Sequence, residues 1–166
     1  EYATVTGGTD NRALADAATV TGGVAGAALG YASSVSGGYD NTAATKRSNV
    51  VGGISNYVGG YAATVSGGHS NSVYAPYSVV SGGDSNRVAG YAHTIVGGVS
   101  NTIVTDSYSY IGGGSGNEIS DGSYASIVGG VANEVSATYA SVGGGGYNVA
   151  SGSAATTSGG VYNEGA

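Results

Sequence analysis

The sequence predicts an all-β chain wound as a parallel β-solenoid, a β-roll of about eleven 15-residue coils. Three observations predict it. Gly-Gly pairs recur at a near-fixed period, residues between them alternate with period two, and Phe, Trp, Met and Cys are all missing.

The pairs begin at Gly7, Gly22, Gly37, Gly52, Gly67, Gly82, Gly97, Gly112, Gly129, Gly144 and Gly159, every interval being 15 residues except one of 17. Repetition of this kind means stacked units that pack on their neighbours. Because the pairs hold 22 of the 34 glycines, glycine is structural punctuation here, and the disordered reading that composition alone would suggest does not apply.

Units start at Glu1, Asp16, Tyr31, Lys46, Tyr61, Pro76, Tyr91, Asp106, Ser123, Thr138 and Ser153, and form one repeat domain over 1–166. Their consensus is Y-A-S-T-V-S-G-G-x-S-N-x-V-x-G. Such a unit is too short for a helix-turn-helix repeat, which needs more than about 30 residues. Ala3 and Val5 alternate with Thr4 and Thr6, a strand pattern. Each unit is therefore expected to carry strand one in columns three to six and strand two in columns eleven to fourteen, joined by turns. Coils stacked at about 4.8 Å make a rod of roughly 50 Å.

Column five is apolar at Val5, Val20, Val35, Val50, Val65, Val80, Ile95, Ile127 and Val142, with Tyr110 and Thr157 as exceptions. Column thirteen is apolar at Val58, Val73, Val88, Ile103, Ile119 and Val135, among others. These columns are expected to fill the core, two medium side chains per flat coil, with no room for Phe or Trp. The reversal after strand one is expected at Gly7, Gly22, Gly37, Gly52, Gly67, Gly82 and Gly97, since glycine reaches positive φ without steric cost. Column eleven is Asn in ten copies, Asn41, Asn56, Asn71, Asn86 and Asn101 among them, and only Gly26 departs. Asn tolerates left-handed backbone, caps turns and stacks into amide ladders, so a ladder is expected here rather than a ligand site. The 17-residue copy gains one Gly within Gly112–Asn117 and one residue within Ser120–Ser123, both in turns.

The net charge is −6 with only 4 Lys and Arg, so no basic stripe exists for nucleic acid. No apolar run approaches the roughly 18 residues of a membrane span, and no leader peptide is recognisable. Glu1 enters in mid-pattern, as expected of a fragment or a processed chain. Column twelve holds Arg12, Arg87, Glu118, Glu134 and Glu164, so the outer face of strand two is expected in water. Column four, by contrast, is small and uncharged: Thr4, Thr19, Ser34, Thr64, Thr94, Ser126 and Ser141 are expected to form an inter-chain face. A coil this thin and free of large apolar side chains looks under-stabilised alone, which also points to partner chains.

Tyrosine recurs at the turn before strand one (Tyr2, Tyr31, Tyr61, Tyr77, Tyr91, Tyr124, Tyr139) and after the Gly-Gly pair (Tyr39, Tyr147, Tyr162). Either these rings seal the turns, or they form a ridge for glycans or proteins. Catalysis has little support. Neither His69 nor His93 shows a carboxylate-plus-nucleophile pattern, and no catalytic residue is expected. Without Cys there are no thiolate ligands, and the Asp series of calcium-binding rolls is replaced by x-S-N, so no metal or cofactor is expected.

Repeats such as YASSVSGGYDN from Tyr31, YAATVSGGHSNSV from Tyr61, YAHTIVGGVSN from Tyr91 and YASIVGGVAN from Tyr124 resemble the YadA-like head of trimeric autotransporter adhesins, over essentially the whole chain. Similar repeats are familiar in phage and bacterial fibres. The resemblance implies a left-handed roll, a homotrimer of chains side by side, a cell or virion surface location, and an adhesive or structural role toward host protein or glycan. Two departures matter. The family commonly uses a slightly shorter period built on S-V-A-I-G, and its collagen-associated N-S-V-A-I-G string is replaced here by ATVSGG at Ala63–Gly68. No binding residue carries over. A second resemblance, to ice-binding proteins, comes from Thr4-Val5-Thr6, Thr19-Val20-Thr21, Ser34-Val35-Ser36 and Thr64-Val65-Ser66; that array decays at Val79-Val80-Ser81, Thr94-Ile95-Val96 and Ser126-Ile127-Val128.

Overall fold

A computed structural model describes residues 2–166. Among them there is no helix, and the chain winds into a parallel β-solenoid of eleven coils. Odd-numbered strands, from β1 (Thr4–Val5) to β21 (Thr156–Thr157), form one 11-stranded sheet. Even-numbered strands, from β2 (Arg12–Ala13) to β22 (Glu164–Gly165), form the other. The repeat sets the register: Thr64 and Val65 pair with Val79 and Val80, and Ser72 and Val73 with Arg87 and Val88, each partner one coil away. A third ladder of single bridges follows column nine, from Thr9↔Val24 to Gly146↔Val161. Paired segments are two or three residues long, shorter than the alternation predicts, although backbone bonds such as Ser66 N–H to the Val80 carbonyl (3.0 Å) continue beyond them.

Columns five and thirteen meet between the sheets. Val20, Val35, Val50, Val65, Val80, Ile95, Ile127 and Val142 are fully buried, as are Val58, Val73, Val88, Ile103, Ile119 and Val135. Val5, with a neighbouring coil on one side only, is half-exposed. The inward side chains are largest in the middle of the stack, rising from the Val20 and Ala28 pair to the Ile pairs Ile95–Ile103 and Ile111–Ile119 and falling again to Val142 and Ala150.

Three expectations need correction. The left-handed glycine is the second of each pair, at Gly8, Gly23, Gly38, Gly53, Gly68, Gly83 and Gly98. Gly7, Gly22, Gly37, Gly52, Gly67, Gly82 and Gly97 lack positive φ, and a Cβ there would meet nothing within 4 Å. Asn is not left-handed either. That conformation belongs to the residue before it (Asp40, Ser55, Ser70, Ser85, Ser100), and it recurs at column two, as at Ala32, Arg47 and Tyr77. Finally, the eighth coil is offset. Tyr110 and Ile111 pair with Thr94 and Ile95, so Ile111 fills column five, fully buried, while Tyr110 faces outward. This coil starts at Ser107, not Asp106, and its Gly pair is Gly113–Gly114, the left-handed Gly114 stacking on Gly130. The extra residue lies in the turn around Asp106, and the second sits around Asp121, as expected; both turns precede strand one.

Candidate functional site

Among the described residues no cavity opens, and no cluster of three or more His, Asp or Glu converges. What the coils present is a set of ladders.

The Asn column is internal. Asn71 Nδ2 donates to the Gly67 carbonyl (3.1 Å) and to the Gly83 carbonyl of the next coil (3.0 Å), while its Oδ1 accepts the Asn86 backbone N–H (3.0 Å). Asn41, Asn56, Asn86 and Asn101 repeat the pattern in donating to both glycine carbonyls, and all are buried. Each amide thus serves the carbonyl of its own Gly pair and the next Asn N–H, for which the backbone offers no partner, and adds a second bond to a next-coil glycine carbonyl that already accepts a backbone N–H, a structural role. No buried side-chain nitrogen or oxygen lacks a partner among the described residues.

Column four runs along the outer face of strand one. Thr19, Ser34, Thr64, Thr94, Ser126 and Ser141 are half-buried in the single chain, and Thr4 is exposed. Ser141 and Thr156 share a hydroxyl contact of 3.2 Å, and the Ser34 hydroxyl donates to Asn49. The corrected register puts Tyr110, 40% exposed, into this otherwise small column. Val51, Val96 and Val128 stand exposed beside it in column six. Column twelve is in water as expected, with Arg12, Arg87, Glu118, Glu134 and Glu164 all exposed.

The tyrosines do not close the core. Column three does that, with Ala18, Ser48, Ala63, Ser78, Ala125 and Ala140 buried. Tyr61, Tyr77, Tyr91, Tyr108, Tyr124 and Tyr139 instead form one continuous outer ladder with centroids 5.2–5.9 Å apart. Where the side chain alternates between columns one and two, the rings meet edge to face, as in Tyr77–Tyr91 at 63°. Where column two repeats, they stack: Tyr108–Tyr124 at 17° and Tyr124–Tyr139 at 11°. Tyr108 falls in this ladder only in the corrected register of the eighth coil. At the start of the ladder, Lys46 lies over the Tyr31 ring (5.4 Å) and Arg47 Nη1 donates to the Tyr61 hydroxyl (3.0 Å).

Both histidines sit in surroundings the sequence reading did not describe. His69 Nδ1 lies 3.2 Å from Asp84 Oδ2, and His69 Nε2 lies 3.4 Å from the Ser70 hydroxyl. This brings together a carboxylate, an imidazole and a hydroxyl, and the signal was available, since residues 69 and 84 differ by one period. The Asp84 carboxyl is held below its usual range, chiefly by the Ser85 hydroxyl and then by His69. The His69 and Asp84 side chains are about half-exposed and Ser70 is partly buried, and the nearby N–H groups of His69, Ser70, Asn71, Asp84 and Ser85 already bond to acceptors in adjacent coils. None of these five N–H groups is free to hold an oxyanion, which acyl-transfer chemistry requires. His93 is fully buried in column three, the partners of its ring all backbone. Ser109 N–H donates to Nδ1 and Tyr91 N–H approaches Nε2, each at 3.0 Å. Burial is the largest cause holding its pKa below the ordinary value, with backbone contacts at Thr105 and Ser109 counted against it. Since Ser109 presents an N–H, its contact favours the neutral ring, and the downward direction stands.

No protein-family model matches the chain, and no curated protein sequence matches it.

Proposed function

We propose that the chain is a segment of an extracellular, non-enzymatic fibre, an adhesin-head-like homotrimer of left-handed rolls that displays a repetitive surface for attachment to a host protein or glycan. The carrying observation is the column-four face: Thr19, Ser34, Thr64, Thr94 and Ser126 stand in register, half-buried, with Val51, Val96 and Val128 exposed alongside. A face that is uncharged and, Tyr110 apart, built of small side chains lets a second backbone approach closely on either side of that ring, and the exposed valines add apolar area to such a contact. Repetition along the rod then multiplies weak attachments into avidity. A phage-type tail-fibre shaft or a surface filament subunit shares this architecture and is the nearest alternative.

Light scattering on the 15.8 kDa chain tests the trimer. A mass of three chains is the expected result, and a monomer at micromolar concentration overturns it. The same Thr and Ser ladder supports a second reading, ice binding, which needs column four open to water. Its test is thermal hysteresis on a monomeric sample, with activity lost in Thr19→Lys.

A further inference from the structure

We infer that Tyr108, Tyr124 and Tyr139, together with Tyr147 and Tyr162, are sites of oxidative tyrosine–tyrosine cross-linking that covalently staples successive coils. Three independent observations carry this.

The first is geometry. Tyr108–Tyr124, Tyr124–Tyr139 and Tyr147–Tyr162 are the three near-parallel stacks, with centroids 5.3, 5.2 and 5.1 Å apart and interplanar angles of 17°, 11° and 17°. In each, both rings rise from one column of left-handed residues, with φ between 54° and 61°. The coils are locked to each other beneath them, since Tyr124 N–H donates to the Ser107 carbonyl (3.0 Å) and Tyr139 N–H to the Ser123 carbonyl (2.9 Å). The partner ring is therefore present at high effective concentration before any chemistry begins.

The second is access. All five rings are at least half-exposed, from 51% at Tyr108 to 76% at Tyr162, so an oxidant reaches them without unfolding the coil. The third is what the chain omits. Cys and Met, which oxidise readily, and Trp are all absent, leaving tyrosine as the main sink for oxidising equivalents. The ladder from Tyr61 to Tyr139 also lets a radical formed on one ring pass to the next, at centroid spacings no greater than 5.9 Å.

The step requires a one-electron oxidant from outside the protein, of the peroxidase–peroxide class. Two phenols each lose one electron and one proton, giving two phenoxyl radicals, and one peroxide is reduced to two waters. The radicals couple through the ring carbons ortho to oxygen, forming one C–C bond. The hydrogen on each coupled carbon then moves to its oxygen, restoring both aromatic rings and both hydroxyls. The net loss is two hydrogen atoms per cross-link.

The experiment uses the folded chain at low concentration with a photo-excited ruthenium tris-bipyridyl complex and persulfate. After denaturation, a glutamyl endopeptidase cuts at Glu118 and Glu134, which places Tyr108, Tyr124 and Tyr139 on three different peptides. Mass spectrometry should find those peptides joined with the loss of two hydrogens, and a Tyr147–Tyr162 link within one peptide. These products should exceed the edge-to-face pairs Tyr61–Tyr77 and Tyr77–Tyr91 several-fold. Tyr124→Phe keeps a stacking ring; it should remove both links in the first group and leave Tyr147–Tyr162 unchanged as an internal reference. Cross-links scattered without regard to the stacks, a yield no higher than in the same chain oxidised in denaturant, or no coupled product while single tyrosines are oxidised would each overturn the inference.

Discussion

The side-chain oxygen of Asn71 receives both the backbone N–H of Asn86 at 3.0 Å and its amide Nδ2 at 3.1 Å. One amide thus ties two coils together on the backbone and on the side chain at once. Asn71→Ala deprives the Gly67 carbonyl, the Gly83 carbonyl and the Asn86 N–H of that side chain. With these groups buried or partly so, the expected loss is about 2–4 kcal/mol. Urea unfolding measures it, and a loss within experimental error would mean that water replaces the amide freely.

The ladder has one gap, at Gly26. Its N–H donates to Asn11 Oδ1 (2.8 Å), but it offers no side chain toward Gly22, Gly38 or Asn41. Gly26→Asn should raise stability by about 1 kcal/mol by supplying those bonds. The new Cβ sits 3.0 Å from Asn11 Oδ1 and 3.3–3.4 Å from Val35 and Val20, a tight fit in which these three neighbours must give by a few tenths of an ångström. A lowered thermal midpoint would show that those valines cannot give.

The two glycines of a pair should behave oppositely. A Cβ on Gly68 would lie 2.2 Å from the Gly83 carbonyl oxygen, on a backbone with φ of 86°, whereas a Cβ on Gly67 meets open space. Gly68→Ala should cost about 2 kcal/mol or more. Gly67→Ala should fall within about 0.5 kcal/mol of neutral, aided by a less flexible unfolded chain. Equal effects in chemical denaturation would refute the separate roles.

Acid should loosen the seventh and eighth coils. His93 is buried with a lowered pKa, so the unfolded chain takes up a proton near the ordinary value of 6.5 and the folded chain does not. Its contribution is complete above that pH and declines as pH falls toward the folded value. His93→Ser, matching Ser78 and Ser109 in the adjacent coils, should flatten this part of the pH–stability curve. Identical curves for the two proteins between neutral and mildly acidic pH would exclude the effect. Hydrogen exchange should locate the weakening around Tyr91 and Ser109, whose N–H groups contact the ring.

Much of this architecture is written in the repeat. Column periodicity was enough to place Val65, Val73 and Asn71 correctly, because burial and the amide ladder both constrain side-chain type. The eighth coil is ambiguous in the sequence. Gly112, Gly113 and Gly114 offer two possible pairs, and the choice turns on putting Ile111 rather than Tyr110 between the sheets. The left-handed columns were illegible for a different reason. Ala32, Arg47 and Tyr77 carry no mark of their conformation, which the surrounding stack imposes. The Tyr108–Tyr124–Tyr139 stack likewise emerged only once the register was known.

The wiring of the coils has a kinetic consequence. Ladder partners lie one coil away, 15 or 16 residues along the chain, as in Val65↔Val80 and Tyr110↔Ser126. Closing a loop of that length is a local search, and each new coil repeats the same search on a template already in place. The nucleus is expected where the inward side chains are largest, at Ile95, Ile103, Ile111, Ile119 and Ile127. Growth then proceeds outward in both directions, so a longer rod takes more steps without any single step becoming slower.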